Sequence, residues 1–142
     1  MKKILCATDG SHSSEKAVDF AIDLAKQLQA ELTFIHVVTP TEDDVSHTYF
    51  WDSNILNAAD EQIQRELHDA MQRAHQKGLE SVFCTTVAGH HIATEIVNYA
   101  EANAYDHLIT GSVGRSGVSR VILGSIAEQV ISKAHCPVTV VR

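Results

Sequence analysis

No stretch of this 142-residue sequence reaches the roughly 18 consecutive apolar residues that a transmembrane helix needs, so a membrane role is not expected. Lys2 and Lys3 are followed by only Ile4-Leu5-Cys6-Ala7 before Asp9, far too short for the apolar core of a secretory leader. Cysteine is scarce as well. Cys6, Cys84 and Cys136 are odd in number, far apart and form no C-x-x-C pair, which argues against a disulfide framework. They read as small buried apolar residues of a protein kept in the reducing cytoplasm. Positive charge is also short: eleven Lys and Arg face eighteen Asp and Glu, a formal charge of −7. That balance argues against a nucleic-acid surface, and an anionic ligand would need a local positive site.

Several chemical signatures are missing too. No G-x-x-x-x-G-K-S/T occurs, so the chain is not a P-loop protein, and no G-x-G-x-x-G follows the first strand. No G-x-S-x-G marks an activated serine. No H-E-x-x-H gathers the nine histidines into a zinc site, and no metal ligands are assigned. His90-His91, and His68 with His75, read as exposed polar residues, whereas His36 lies in a predicted strand and reads as a core histidine with a satisfied hydrogen bond. Cys6 and Cys84 sit within predicted strands, poor places for a reactive thiolate. No catalytic residue is assigned.

What is present is an alternation of two hydrophobic periods. Residues 3–8, 31–38, 80–87, 106–110 and 138–141 are short apolar or β-branched runs, the pattern of strands buried on both faces. Between them lie helical patterns. Ala17, Ala21, Leu24 and Leu28 recur at helical spacing behind start signals at Ser11, Ser13, Ser14 and Glu15. Leu56, Ala59, Ile63, Leu67, Ala70 and Ala74 mark a long amphipathic helix stopped at Gly78. Ile92, Ile96, Val97 and Ala100 mark a third helix, and Ile126, Ala127, Val130, Ile131 and Ala134 a fourth, stopped before Pro137. The order β-α-β-α-β-α-β-α-β predicts one α/β domain over residues 1–142. Its sheet is open, parallel and five-stranded, in order 3-2-1-4-5, with helices on both faces in the Rossmann-like manner. Residues 39–53, with Tyr49, Phe50 and Trp51 near their end, are long for a connection and are expected to border the ligand cleft as a flap or to pack on the long helix.

In such a sheet a ligand sits beyond the carboxyl ends of the strands, where the strand order reverses. Thr8-Asp9-Gly10, Val37-Val38, Ala88-Gly89 and Thr110-Gly111 are therefore the first candidates. The densest signal is Gly111-Ser112-Val113-Gly114, then nine residues, then Gly124-Ser125 at the start of the last helix. Glycines allow close backbone approach, a helix start offers free N–H groups, and Arg115 and Arg120 add positive charge. These are the parts of a phosphate cradle. The same residues also have plainer readings: Ser125-Ile126-Ala127-Glu128 fits a capping box, and Asp9-Gly10 fits a turn.

At these residues the sequence resembles the universal stress protein family over essentially its whole length. The resemblance runs through Ile4-Leu5-Cys6-Ala7-Thr8-Asp9-Gly10-Ser11, Ile35-His36-Val37-Val38, Gly89, Asp106-His107-Leu108-Ile109-Thr110-Gly111 and Cys136-Pro137-Val138-Thr139-Val140-Val141. The spacing G-x2-G-x9-G-S/T matches the pattern of the family's ATP-binding branch. The resemblance implies an ATP-binding stress-response protein, acting as a binding module or switch, that takes ATP, ADP or AMP. In a slow ATP hydrolysis, Asp9 or the phosphates would hold Mg²⁺. Carried over by position, Ala7, Thr8 and Asp9 would lie at adenine and ribose, with Asp9 accepting from a ribose hydroxyl. Val37 would contact adenine, and Thr110 and Gly111 would line the nucleoside pocket. Gly114, Arg115, Gly124, Ser125 and Ile126 would surround the phosphates. Position 110 is often Met in ATP-binding relatives and position 113 often His or Arg, so Thr110 and Val113 imply a looser pocket with one phosphate donor fewer. His91 stands where the family has Pro. The alternatives are a member that works only through protein contacts, and a weak ATPase. The apolar edge Val138–Val141, interrupted by neither Pro nor Lys, implies a homodimer built on the last strand.

Overall fold

The computed structural model describes residues 1–9, 12–39, 53–112 and 123–142. Their element order is β1 (Lys3–Ala7), α1 (His12–Leu28), β2 (Glu31–Val38), α2 (Ser53–Gln76), β3 (Val82–Ala88), α3 (Ile92–Ala102), β4 (His107–Gly111), α4 (Ser125–Lys133) and β5 (Val138–Val141). The five strands form one sheet in the order β3-β2-β1-β4-β5, and every pairing is parallel. The expected fold class and strand order hold.

Each central strand buries both faces. Along β1, Ile4 and Cys6 join one apolar cluster and Leu5 the other, all three fully buried. Successive side chains of a strand point to opposite faces, so this alternation assigns the helices to sides. Phe34, Leu32 and Ile109 pack with Ala17, Ala21 and Ile22 of α1 and Leu67 and Ala74 of α2. Ile35, Val37 and Leu108 pack with Ile96 and Val97 of α3 and Val130 of α4. The small residues at Ala17, Ala21 and Ala25, all fully buried, let α1 lie close to the sheet.

Helix ends follow their chemistry. Glu15 lies in the first turn of α1 and Lys26 in its last, matching the helix dipole. Past α2, Gly78 takes φ +90, a left-handed conformation that glycine adopts without strain. That turn lets the Leu79 N–H reach back to the Ala74 carbonyl at 2.9 Å. The start of β1 is tied down by Asp106, whose carboxylate accepts the Lys2 and Lys3 backbone N–H groups at 2.9 Å each and is thereby held below the usual carboxylate range.

Two expectations about cysteine are corrected. Only Cys6 is fully buried; Cys84 is exposed and Cys136 half-buried. Cys84 lies on β3, an edge strand with a neighbour on one side only, so strand membership does not bury it. The same geometry leaves Phe83 51% exposed.

Candidate functional site

The chain runs outward from β1 through β2 to β3, then returns to the other side of β1 for β4 and β5. The order therefore reverses between β1 and β4, and the crevice at their carboxyl ends is the natural ligand position. Cys6 pairs with Ile109, so Ala7-Thr8-Asp9 and Thr110-Gly111-Ser112 leave the sheet side by side. Ala7 and Ile126 pack against the same buried cluster that contains Val37. Three residues expected at the nucleoside and phosphates, drawn from β1, β2 and α4, thus share one face of the sheet.

Backbone bonds shape the crevice. Thr8 leaves β1 with its N–H donated to the Ile35 carbonyl at 2.9 Å and its hydroxyl directed to the same oxygen at 3.4 Å. The next N–H, of Asp9, donates to the Ser14 hydroxyl at 3.1 Å. Ser14 is buried in the first turn of α1, so this bond holds the turn after β1 against the helix that follows. Across the crevice, the Ser112 N–H donates to the Val141 carbonyl at 2.8 Å, and the Ser112 carbonyl accepts the Gly124 N–H at 2.6 Å. The last contact sets the start of α4 directly at the end of β4.

The capping-box reading of Ser125 does not hold. The N-cap of α4 is Gly124, in extended backbone with φ −69 and ψ 159, and among the described residues no side chain caps the helix. Ser125 is the first helical residue and is exposed. The helix begins one residue earlier than the S-x-x-E pattern suggests, since the Gly124 carbonyl already accepts the Glu128 N–H at 3.0 Å. The positive end of the helix dipole at this start favours an anion.

Thr110 is buried, and its hydroxyl donates to the Gly111 carbonyl at 3.3 Å. Gly114 and Arg115, the other two expected phosphate residues, lie outside the described residues, as do Arg120, most of the 39–53 segment with Trp51, and Gly10. Ser14 and Ser112 stood in the sequence only as a helix-start signal and as part of the glycine motif. Their bonds at the crevice depend on pairing between distant segments, which no local pattern reveals. His36, read as a core histidine, directs Nδ1 to the Thr8 carbonyl at 3.1 Å.

A second concavity, of about 280 Å³, lies on the opposite face between α1 and α2. Thr8 is the one expected site residue on its wall. Glu15, Glu66 and Asp69 outnumber Arg73 among its charged residues, a poor environment for a phosphate chain. Burial pushes the Cys6 thiol far above its ordinary range, so it supplies no nucleophile. Among the described residues, no group of three or more His, Cys, Asp or Glu could hold a metal ion, and no helix is long and apolar enough to cross a membrane.

Comparison with known proteins agrees with this geometry. The universal stress protein family profile matches residues 1–142. The universal stress protein YxiE of Bacillus subtilis is 33% identical, with 99% of this chain and 98% of that protein aligned. The structure of protein MJ0577, described as a structure-based assignment of biochemical function, superposes with a TM-score of 0.83 at 29% identity, covering 99% of this chain and 94% of that one. A universal stress protein crystallised with cAMP superposes with a TM-score of 0.75 at 26% identity, covering 99% and 96%. With profile, sequence and fold in agreement over the whole chain, this protein belongs to the universal stress protein family.

Proposed function

We propose that this protein binds an adenine nucleotide, ATP or its di- or monophosphate, in the crevice between β1 and β4, and acts as a binding module or switch. The observation that carries the reading is the start of α4. Its N-cap is a glycine, with no capping side chain among the described residues, and Gly124 is held 2.6 Å from Ser112 at the crevice rim. A helix start placed so, in an otherwise acidic chain, suits a phosphate. Gly124, Ser125 and Ile126 would hold the phosphates, with Gly114 and Arg115 of the glycine motif. Ala7 and Val37 offer apolar surface to adenine, and Thr8, Asp9, Thr110 and Gly111 would surround the nucleoside. The cAMP complex of a relative supports the same class of ligand. Mg²⁺ would accompany the nucleotide through Asp9 or the phosphates and would offset phosphate charge. Calorimetry and thermal melting with ATP test the reading: saturable heat and a raised Tm are expected, and neither effect at millimolar ATP overturns it.

The working unit is proposed to be a homodimer in the cytoplasm. All four residues of Val138–Val141 are half-exposed on a strand that pairs with β4 on one side. Antiparallel pairing of two such edges about a two-fold axis would satisfy both and close the assembly. The absence of a disulfide among the three cysteines fits a reducing compartment.

A further inference from the structure

We propose that His36 is a positioning residue for the nucleotide crevice, setting the path of Thr8-Asp9 through a hydrogen bond to the Thr8 carbonyl. The inference rests on the nucleotide-binding reading for its functional consequence and on independent geometry for the contact itself.

His36 lies near the carboxyl end of β2, whose alternation turns its side chain toward the face covered by α1 and α2. Its Nδ1 is 3.1 Å from the Thr8 carbonyl oxygen. A carbonyl only accepts, so the bond requires the proton on Nδ1. The same nitrogen is 3.9 Å from Glu66 Oε2 on α2, and the two side chains are only 14% and 19% exposed. That distance is beyond hydrogen-bond range, so Glu66 stands beside the imidazole as an electrostatic neighbour, and the direct bond is the one to the Thr8 carbonyl. Glu66 is itself in contact with Gln62 Nε2 at 3.4 Å, one turn earlier on α2.

The consequence falls on the peptide that joins Thr8 to Asp9. Its carbonyl is held by His36 of β2, and its N–H by Ser14 of α1. A peptide gripped on both polar atoms has little freedom to rotate, so the Asp9 backbone is set before any ligand arrives. Pre-organisation of this kind raises affinity by lowering the ordering cost of binding. His36 stands one residue before Val37, which faces the opposite side of the sheet, so its action runs through Thr8 and not by direct contact. The effect belongs to the nucleoside end and is therefore equal for AMP and ATP.

Substitution separates positioning from packing. Asn carries its amide nitrogen where His carries Nδ1, whereas Gln carries its own one atom further out and is closer to His in volume. Positioning predicts that His36→Asn binds AMP and ATP within twofold of wild type and that His36→Gln loses about fivefold for both. Packing predicts the reverse order. Hydrogen exchange of the Asp9 amide, measured without nucleotide on the same folded variants, should be faster in His36→Gln and unchanged in His36→Asn. Equal affinities and equal exchange in the two variants overturn the proposal. If wild type binds no nucleotide, the functional reading falls, and the exchange rates alone decide whether His36 holds the turn.

Discussion

Replacing Gly124 with Asp separates a structural role of the α4 start from a phosphate-binding one. Gly124 sits at φ −69 and ψ 159, extended backbone open to any residue, so the substitution introduces no dihedral strain. As an N-cap, Asp improves on Gly by only a few tenths of a kcal/mol, and stability should barely move. Its carboxylate would take the first-turn N–H groups that a phosphate needs and set a negative charge beside it. Two unit charges about 4 Å apart at an effective dielectric near 20 interact by about 4 kcal/mol. Gly124 is half-exposed and Ser125 exposed, so screening leaves a fraction of that, about 1.4 kcal/mol or more, which is at least tenfold in affinity. Calorimetric titration with ATP reads the loss directly, and a thermal melt checks the fold. Gly124→Asn caps without charge and should lose less, and raised salt should narrow the gap between the two variants. An Asp variant that is folded and binds ATP within twofold of wild type would refute the assignment of α4 as the phosphate seat.

Because Val113 offers no phosphate hydrogen bond and Thr110 is small for the nucleoside pocket, ATP, ADP and AMP should bind within about tenfold, or 1.4 kcal/mol, of one another; a stronger triphosphate preference contradicts this. Light scattering should give about twice 15.5 kDa for the intact chain and a monomer for Val140→Lys, whereas a wild-type monomer at high micromolar concentration rules out the strand-edge dimer. Tyr105→Phe removes the 2.8 Å hydrogen bond from the phenol to the buried Thr33 hydroxyl, which should cost about 1 kcal/mol and lower Tm by about 3 °C in a melt. Burial holds the His107 imidazole below its ordinary value of about 6.5, while Nε2 lies 2.7 Å from Thr139 Oγ1. Between those two values the unfolded chain takes up a proton that the folded chain refuses, so stability falls as pH drops below about 6.5, and His107→Gln should flatten that fall in denaturant titrations at stepped pH.

Most of the fold was legible in hydrophobic period. The runs at 31–38 and 138–141 coincide with β2 and β5, because β-branched runs bounded by turns and helices have few other uses. Parallel pairing followed from the alternation of elements, since parallel neighbours require crossovers. What escaped was pairing at a distance. Nothing local in the sequence pairs His107 with Thr139, yet His107 is 8% exposed and its Nε2 lies 2.7 Å from Thr139 Oγ1 of β5. Cys84 reads as interior because it sits in a strand, and only the strand's place at the edge leaves it open. The candidate site divides the same way. Glycine spacing and the strand ends marked Thr8, Asp9, Thr110 and Gly124, but the grip of Ser14 and His36 on the Thr8-Asp9 peptide depends on α1 and β2 meeting β1.

The central claim is tested most directly by following backbone amides during titration with ATP. A nitrogen–proton correlation spectrum of the isotope-labelled chain should show saturable shifts at Thr8, Asp9, Gly111, Ser112 and Gly124 through Ile126, with Asp69 and Arg73 of the α1–α2 cleft unmoved. Shifts confined to that cleft, or no shifts at millimolar ATP, would contradict the account.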